Sequence, residues 1–574
     1  MTMSSLRLTE RQQFWLFFAI AFVILAAGIG LRDPWPADEP RFALVAKQMV
    51  ESGNWLIPHR GSEMYSDKPP LFMAMQAFFY TLTGQWRLAF MLPSLLSGLG
   101  MLWLVYDLGR RLWNPRVGLY AAAVLLCTFQ FVYQVKRAQI DPAVCFFITL
   151  ANYGLLRHFL TGPNWRAYWL GCFAAGLGVI TKGVGVIALF MLLPYVFARW
   201  QRWDHLSPID GSAWRWLAGP LCFLAAIALW LVPLLVAAYT QDSPEFRAYL
   251  TDILFRQTAG RYTQSWHHHQ PPWYFVSVVL FAWLPLSLAY PWAVPAWVRA
   301  LRARDARVLL PLAWVAIVIL FFTIPSGKRD VYILPALPLV ALLVGVQLET
   351  LVHSPAFRRV ALGFTILMAV LFVAVGGYAW SGHWPRANLL VEQRGFEGGG
   401  AALWGFIVAV GIVAALAAIV LRVRRSLAGV AVTIAAIWLG WGFWAYPVLD
   451  ASTSSALVMR KAGTMIGPDA ELGLVAWKEQ NLLRADRPAR DFGFLRPWGE
   501  QLALARTWVM ENPERRWLFV LDEALGDCVD KDKSQHVGHA NRREWLLIRA
   551  DAFKAGCDPR SGATAADDPD DAGD

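Results

Sequence analysis

An all-helical, multi-pass membrane protein ending in a small α/β domain is the architecture this sequence predicts, and three observations predict it. The 574-residue chain is 57% hydrophobic, above the roughly 45–50% of soluble domains. Its apolar residues gather in runs long enough to cross a bilayer, whose hydrocarbon core of about 30 Å needs roughly 20 residues per helix. Its basic residues gather in the short loops between those runs, as the positive-inside bias requires. The 30 Trp residues fit belts at the two interfaces. The net charge of +11 therefore reads as topology. No basic tract with interleaved aromatics points to nucleic acid.

Thirteen apolar runs follow in order, near 14–31, 88–106, 117–135, 142–160, 167–181, 183–198, 215–239, 273–297, 308–324, 331–351, 359–380, 402–421 and 427–447. The first has few charges ahead of it and no clear A-x-A site, so it reads as a retained anchor rather than a signal peptide. A fourteenth run, "LFMAMQAFFYTLTG" at 71–84, is too short to span comfortably. Charge parity decides its fate. With Arg7 and Arg11 inside and 71–84 kept on the outer surface, every internal loop carries Arg, from "DLGRRLWNPR" to "RVRRS". If 71–84 crossed, all of those loops would face outward, against the bias.

Residues 1–448 thus form the transmembrane part, with outer loops at 32–87 and 240–272. Residues 449–574 form a soluble α/β domain on the same outer side. Within it "ELGLVAW", "RWLFVLDEAL" and "EWLLIRA" read as strands and "EQLALARTWVMEN" as a helix. The tail "DDPDDAGD" reads as disordered. Cys127, Cys145, Cys172 and Cys222 lie in apolar runs as packing residues. Cys528 and Cys557 could form one disulfide in an oxidising compartment. No CxxC suggests a zinc ribbon.

The unusual charges sit in the outer loops. "ADEPRFALVAKQMVESGN" is an amphipathic helix with Phe42, Val45, Ala46, Met49 and Val50 on one face, ended by Gly53 and laid flat at the interface. Asp38 is its natural N-cap, with Pro40 in the first turn. A capping carboxylate stays ionised, so the same residue could also serve as a general base. In "YSDKPP", Lys68 is either a snorkelling cation or a phosphate ligand. Asp141, before Pro142 in "QIDPAV", reads as another cap or a second acid. Lys182 in "TKG" is an interfacial turn or a cation of the site. "PSGKRDVYILP" brings Lys328, Arg329, Asp330 and Tyr332 to the mouth of a later helix. The adjacent histidines of "WHHHQPPWYF" converge poorly on one metal. Ionisable groups at a membrane mouth are costly and by default mark a pathway or a site. Cations there suit a lipid phosphate, and acids beside them suit base catalysis on an acceptor.

In order, "DEPRFALVAKQMVESGNWLIPH", "YSDKPP", "DPAV", "TKG", "GRY…HHQPPWYF" and "SGKRDVYILP" resemble the polyprenyl-phosphate-sugar-dependent membrane glycosyltransferases. More narrowly, they resemble the lipid A aminoarabinose transferases and their protein O-mannosyltransferase relatives. The resemblance covers roughly 30–450 and implies a GT-C fold with about thirteen spans and a C-terminal periplasmic domain. It implies an inverting transfer of a sugar, 4-amino-4-deoxy-L-arabinose first, from undecaprenyl phosphate to lipid A phosphate at the outer face of the bacterial inner membrane. Another lipid-linked sugar passed to a glycan, lipid or protein is the alternative, and a polyprenyl-lipid flippase is the rival class. Asp38 and Asp141 would be catalytic. Glu39, Arg41, Tyr65, Lys68, Lys182, Arg261 and Tyr332 would bind substrate. Asp67, His268 and His269 are the candidate ligands of an optional divalent metal, with no cofactor obligatory and a monomer expected. Asp67 and Gln257 stand where relatives often carry Glu, which weighs against the metal.

Overall fold

The computed structural model of the chain describes residues 8–209, 212–240, 244–254, 269–394 and 396–561. All thirteen apolar runs are helical. Among the described residues eight helices are long and apolar enough to cross a membrane, or ten if each of two bent pairs is one span. The other three runs lie in helices that are shorter or less apolar, α1 (Glu10–Ala26), Trp165–Lys182 and Val184–Trp200.

The two bent pairs meet at their breaks. Pro115–Cys127 and Phe129–Val135 turn by 70°, and Tyr274–Ala282 and Leu286–Arg302 by 92°. A break frees backbone groups that water cannot reach, so each must find a partner inside the protein. The Phe129 N–H donates to the Leu284 carbonyl at 2.9 Å, and the Trp283 indole donates to Gln130 at 2.6 Å. Gln130 in turn donates to the Asp330 carbonyl at 2.9 Å, which fixes the turn ahead of Tyr332.

Helices Ile140–Thr161 and Trp165–Lys182 form an antiparallel hairpin. Their Gly154 and Gly171 face each other with no room for a Cβ, so the backbones pack directly. An antiparallel hairpin returns the chain to its starting level. It therefore sets Lys182, at its end, beside Asp141, at its start.

The outer layer begins with α2 (Asp38–Ser52), the hairpin of β1 (His59–Arg60) and β2 (Glu63–Met64), and α3 (Leu71–Thr83). The expected apolar face of α2 is present: Phe42, Val45, Ala46 and Met49 pack with Tyr65, Phe72, Met73, Ile140 and Ala143. Two expectations for α2 are corrected. The helix starts at Asp38 itself, with Ala37 in the cap position, so Asp38 is not the cap. Nor does α2 lie with one face in the interface, because Ala43 and Leu44 on its other side join the core of the C-terminal region. It is buried on both sides.

That C-terminal region holds a five-stranded mixed sheet of β3 (Glu471–Val475), β4 (Ala489–Asp491), β5 (Arg516–Leu521), β6 (Gln535–Ala540) and β7 (Arg543–Ile548), in the order β4-β3-β5-β7-β6. β3 runs parallel to β4 and β5, whereas β7 is antiparallel to β5 and β6. The three expected strands are β3, β5 and β7, and the expected helix is Trp498–Glu511. The strands β4 and β6 were not expected, because they are edge strands without an apolar run. Cys528 and Cys557 are disulfide-bonded, with Cα atoms 5.5 Å apart.

Candidate active site

Two neighbouring carboxylates at the start of α2 point in opposite directions. Glu39 is 1% exposed and turns inward. Arg32 grips it with both guanidinium arms, at 2.5 and 2.7 Å. The Trp35 and Ala138 amides each donate to it at 2.8 Å. Burial alone would raise the Glu39 pKa, but the Arg32 charge outweighs it and holds the carboxyl below its usual range. Arg32 is itself enclosed by the rings of Tyr446, Trp35 and Phe90, with its charge centre 4.6–5.5 Å from their centroids. Burial disfavours its charge, and Glu39 more than offsets that, so its pKa is raised. Next to it the Lys136 ammonium donates to the Ile24 and Ala27 carbonyls at 2.9 and 2.7 Å. Burial, helped by Arg32, pulls Lys136 down to about 7.

This strap continues through Asp33, which Arg87 grips at 2.8 and 3.1 Å and Arg484 approaches at 3.4 Å. Glu39, expected among the substrate-binding residues, is held by the protein itself. Both of its oxygens are filled by the protein, and it joins the first membrane helix, α2 and the start of the Ile140–Thr161 helix.

Asp38 turns the other way, into a ring of charged groups. Its Oδ2 accepts from the Gln139 amide at 2.9 Å and lies 3.9 Å from the Arg329 guanidinium. Its Oδ1 lies 4.0 Å from Arg41. Two residues past Gln139, Asp141 pairs with Lys182 at 2.6 Å. The Lys182 ammonium sits 5.8 Å from the centre of the Tyr332 ring. The Tyr332 amide donates to the Arg329 carbonyl at 3.1 Å, and Arg329 returns to Asp38. The ring closes with two acids and three cations, each acid 11–15% exposed at its side chain.

The floor of this ring is shared with the C-terminal region. The Arg41 Nε donates to Glu479 at 3.0 Å, and Arg60 reaches the same oxygen at 3.5 Å. Arg60 also lies 5.7 Å from the Tyr65 ring. Tyr65 is 2% exposed, and its hydroxyl has no partner among the described residues. Burial and the nearby Asp67 carboxylate raise its pKa, against the pull of Arg41 and Arg60, so it is a neutral donor. Asp67 and Lys68 follow on the half-buried stretch that leads into α3.

Of the residues expected from the sequence, the structure brings Asp38, Arg41, Asp141, Lys182 and Tyr332 into one circuit and sets Tyr65 beside it. Arg261 and His268 lie outside the described residues. His269 pairs through its backbone with Gly327, which ties the end of the second outer loop to the turn carrying Lys328 and Arg329. Neither Asp67 nor His269 falls in a grouping of three metal-capable ligand atoms among the described residues. With His268 outside the described residues, no step is routed through a metal. Sequence reasoning passed over Gln139, Arg60 and Glu479. The first could have been found as a polar residue wedged between two buried ones, next to Asp141. The last two could not, because their partner lies more than 400 positions away.

Comparison with known proteins agrees with this picture. Residues 67–232 match the family model described as dolichyl-phosphate-mannose-protein mannosyltransferase. The undecaprenyl phosphate-alpha-4-amino-4-deoxy-L-arabinose arabinosyl transferase of Pseudomonas aeruginosa (strain UCBPP-PA14) is 30% identical over 384 residues, 64% of this chain and 66% of that protein. The protein of the same name from Erwinia tasmaniensis is 29% identical over 379 residues, 63% of this chain and 64% of that protein. The matched span is thus just under two thirds of the length of these relatives. ArnT from Cupriavidus metallidurans in the apo state superposes with a TM-score of 0.71 at 20% identity, covering 94% of this chain and 98% of that one. Its undecaprenyl phosphate-bound form gives 0.70 at 19% identity, with 93% and 97% covered. The chain has the fold of ArnT, and the comparisons fall among the lipid-phosphate-sugar transferases that its motifs resemble.

Proposed function

We propose that this chain, a multi-pass membrane protein of GT-C fold, is an inverting glycosyltransferase that moves 4-amino-4-deoxy-L-arabinose from undecaprenyl phosphate to a phosphate of lipid A. The observation that carries the reading is the closed circuit of Asp38, Gln139, Asp141, Lys182, Tyr332 and Arg329, combined with relatives named for this donor. The reaction runs at the outer face of the bacterial inner membrane, with the sheet-bearing C-terminal region in the periplasm. The Arg-rich loops on the opposite side of the bundle support that orientation.

The chemistry follows from the charges. An acceptor oxygen attacks the anomeric carbon, the bond from that carbon to the carrier phosphate breaks, and the electron pair leaves with undecaprenyl phosphate. Negative charge grows on the departing phosphate. Lys182 and Arg329, fixed beforehand by Asp141 and Asp38, meet it without reorganising, with Lys68 and the Tyr65 hydroxyl as further donors. Asp38 takes the proton of a hydroxyl acceptor. A phosphate acceptor is already anionic, and then Asp38 orients the sugar and its amine. Glu39 positions this machinery rather than touching substrate. The match to a protein mannosyltransferase model favours one second reading, transfer of another lipid-linked sugar to a different acceptor.

The test is mass spectrometry of lipid A from cells with the protein, without it, and with Asp38→Asn. Aminoarabinose-bearing lipid A that depends on the protein and disappears with Asp38→Asn supports the proposal. Identical lipid A in all three would overturn it.

A further inference from the structure

We propose that His536, His539 and Glu544 form a site for a borderline divalent transition metal ion such as Zn²⁺, at the edge of the C-terminal sheet and separate from the sugar-transfer site. A regular strand alternates its faces, so residues three apart point to opposite sides. His536 and His539 should therefore diverge. They do not, because the register of β6 on β7 slips between His536 and Gly538. That bulge adds one residue and resets the alternation. Gly538 occupies it at φ +150°, a backbone angle that a side chain would strain. Val537 and Ala540 consequently point into the core, and His536 and His539 both point out. Glu544 stands directly across the ladder from His539.

The three side chains already converge. The His539 Nε2 lies 3.1 Å from the Glu544 carboxylate, and the two imidazole centroids are 5.8 Å apart. One ligand atom from each of the three lies within 4.8 Å of the others. Tetrahedral zinc, with Zn–N of about 2.0–2.1 Å, needs ligand atoms roughly 3.3 Å apart, a gap that small side-chain rotations close. Two imidazoles and one carboxylate suit Zn²⁺, Cu²⁺ or Ni²⁺ rather than Mg²⁺ or Ca²⁺, and the fourth position stays open to water.

Position in the fold separates this site from the chemistry. β4 is the edge next to the candidate active site, where Asp491 accepts from Ser62 in the β1–β2 turn. β6 is the opposite edge, four strand spacings away, about 19 Å. At the β6–β7 turn, the Asn541 amide donates to the Ser452 carbonyl at the end of the last membrane helix at 3.1 Å. An ion on these ligands would clamp an edge hairpin that is docked on the membrane bundle.

The test uses the full chain in detergent without a polyhistidine tag. Zn²⁺ uptake is followed by calorimetry, and Co²⁺ substitution by its visible spectrum. We expect one ion per chain, a tetrahedral Co²⁺ spectrum, and a higher unfolding midpoint with Zn²⁺. His536→Ala and His539→Ala should each weaken uptake about tenfold or more. Ala substitutions throughout 267–269, the other histidine-rich stretch, should leave the site intact. No saturable uptake by the wild type, or unchanged uptake by the His536→Ala/His539→Ala double variant, overturns the proposal. Unfolding midpoints without metal show whether each variant is folded.

Discussion

Asp38 and Glu39 are adjacent in the chain and belong to two differently built regions. Around Glu39 both carboxylate oxygens are filled: two guanidinium bonds and two amides hold it, Arg32 is walled by three aromatic rings, and 1% of Glu39 is exposed. Around Asp38 the neighbours are instead the polar and cationic groups of the ring. The Gln139 amide holds it at 2.9 Å, and the Arg329 and Arg41 guanidinium groups stand at 3.9 and 4.0 Å. A carboxylate enclosed among fixed donors serves the fold, whereas a ring with more cations than acids suits an anionic ligand. The first turn of α2 thus divides its labour. Glu39 sets where the helix starts, and Asp38 is thereby held at the mouth of a cationic ring.

The comparison breaks most visibly if the two acids are neutralised separately. Asp38→Asn should lower transfer by about 10²-fold, as loss of a group that orients the reactants does, while the unfolding midpoint stays near that of the wild type. Lipid-donor turnover and thermal unfolding of one preparation check both halves. Glu39→Ala should behave in the opposite sense. Removing one partner of a buried pair strands Arg32, at a cost of about 3–5 kcal/mol, read as lost yield and a lowered midpoint before any kinetic effect.

A smaller effect is expected where the C-terminal region floors the ring. Glu479→Gln keeps the shape and removes the charge that Arg41 and Arg60 share. It should destabilise by about 1–3 kcal/mol and change activity less than Asp38→Asn does, checked by the midpoint and the rate together.

The smallest effect is a pH slope. Lys136 falls to about 7 on folding because it is buried beside Arg32. The unfolded chain then holds more protons between pH 7 and the ordinary lysine range, so stability should rise with pH there, by up to about 1.4 kcal/mol per unit. Below pH 7 this slope vanishes, because both states are protonated. Denaturation midpoints measured from pH 6 to 9 should show the rise in the wild type and a flatter course in Lys136→Met.

The sequence made one side of this comparison readable and hid the other. The apolar face of α2, the turn carrying Lys182 and the acid Asp141 follow from periodicity, proline position and the cost of charge at a membrane mouth. Local pattern also found β3, β5 and β7, since each is a short apolar run between polar turns. What local pattern cannot carry is a partner far along the chain. Asp38 looks like an N-cap, because acid-before-proline usually is one. It is instead the first helical residue, because the buried Glu39 strap fixes Ala37 ahead of it. The second buried side of α2 was invisible for the same reason: Ala43 and Leu44 are covered by residues beyond 450.

The measurement that tests the division of labour most directly is a side-by-side determination of transfer rate and unfolding midpoint for Asp38→Asn and Glu39→Gln. Asp38→Asn should be folded and inactive, and the midpoint of Glu39→Gln should drop. A fully active Asp38→Asn, or a Glu39→Gln that is inactive with its midpoint unchanged, would contradict it.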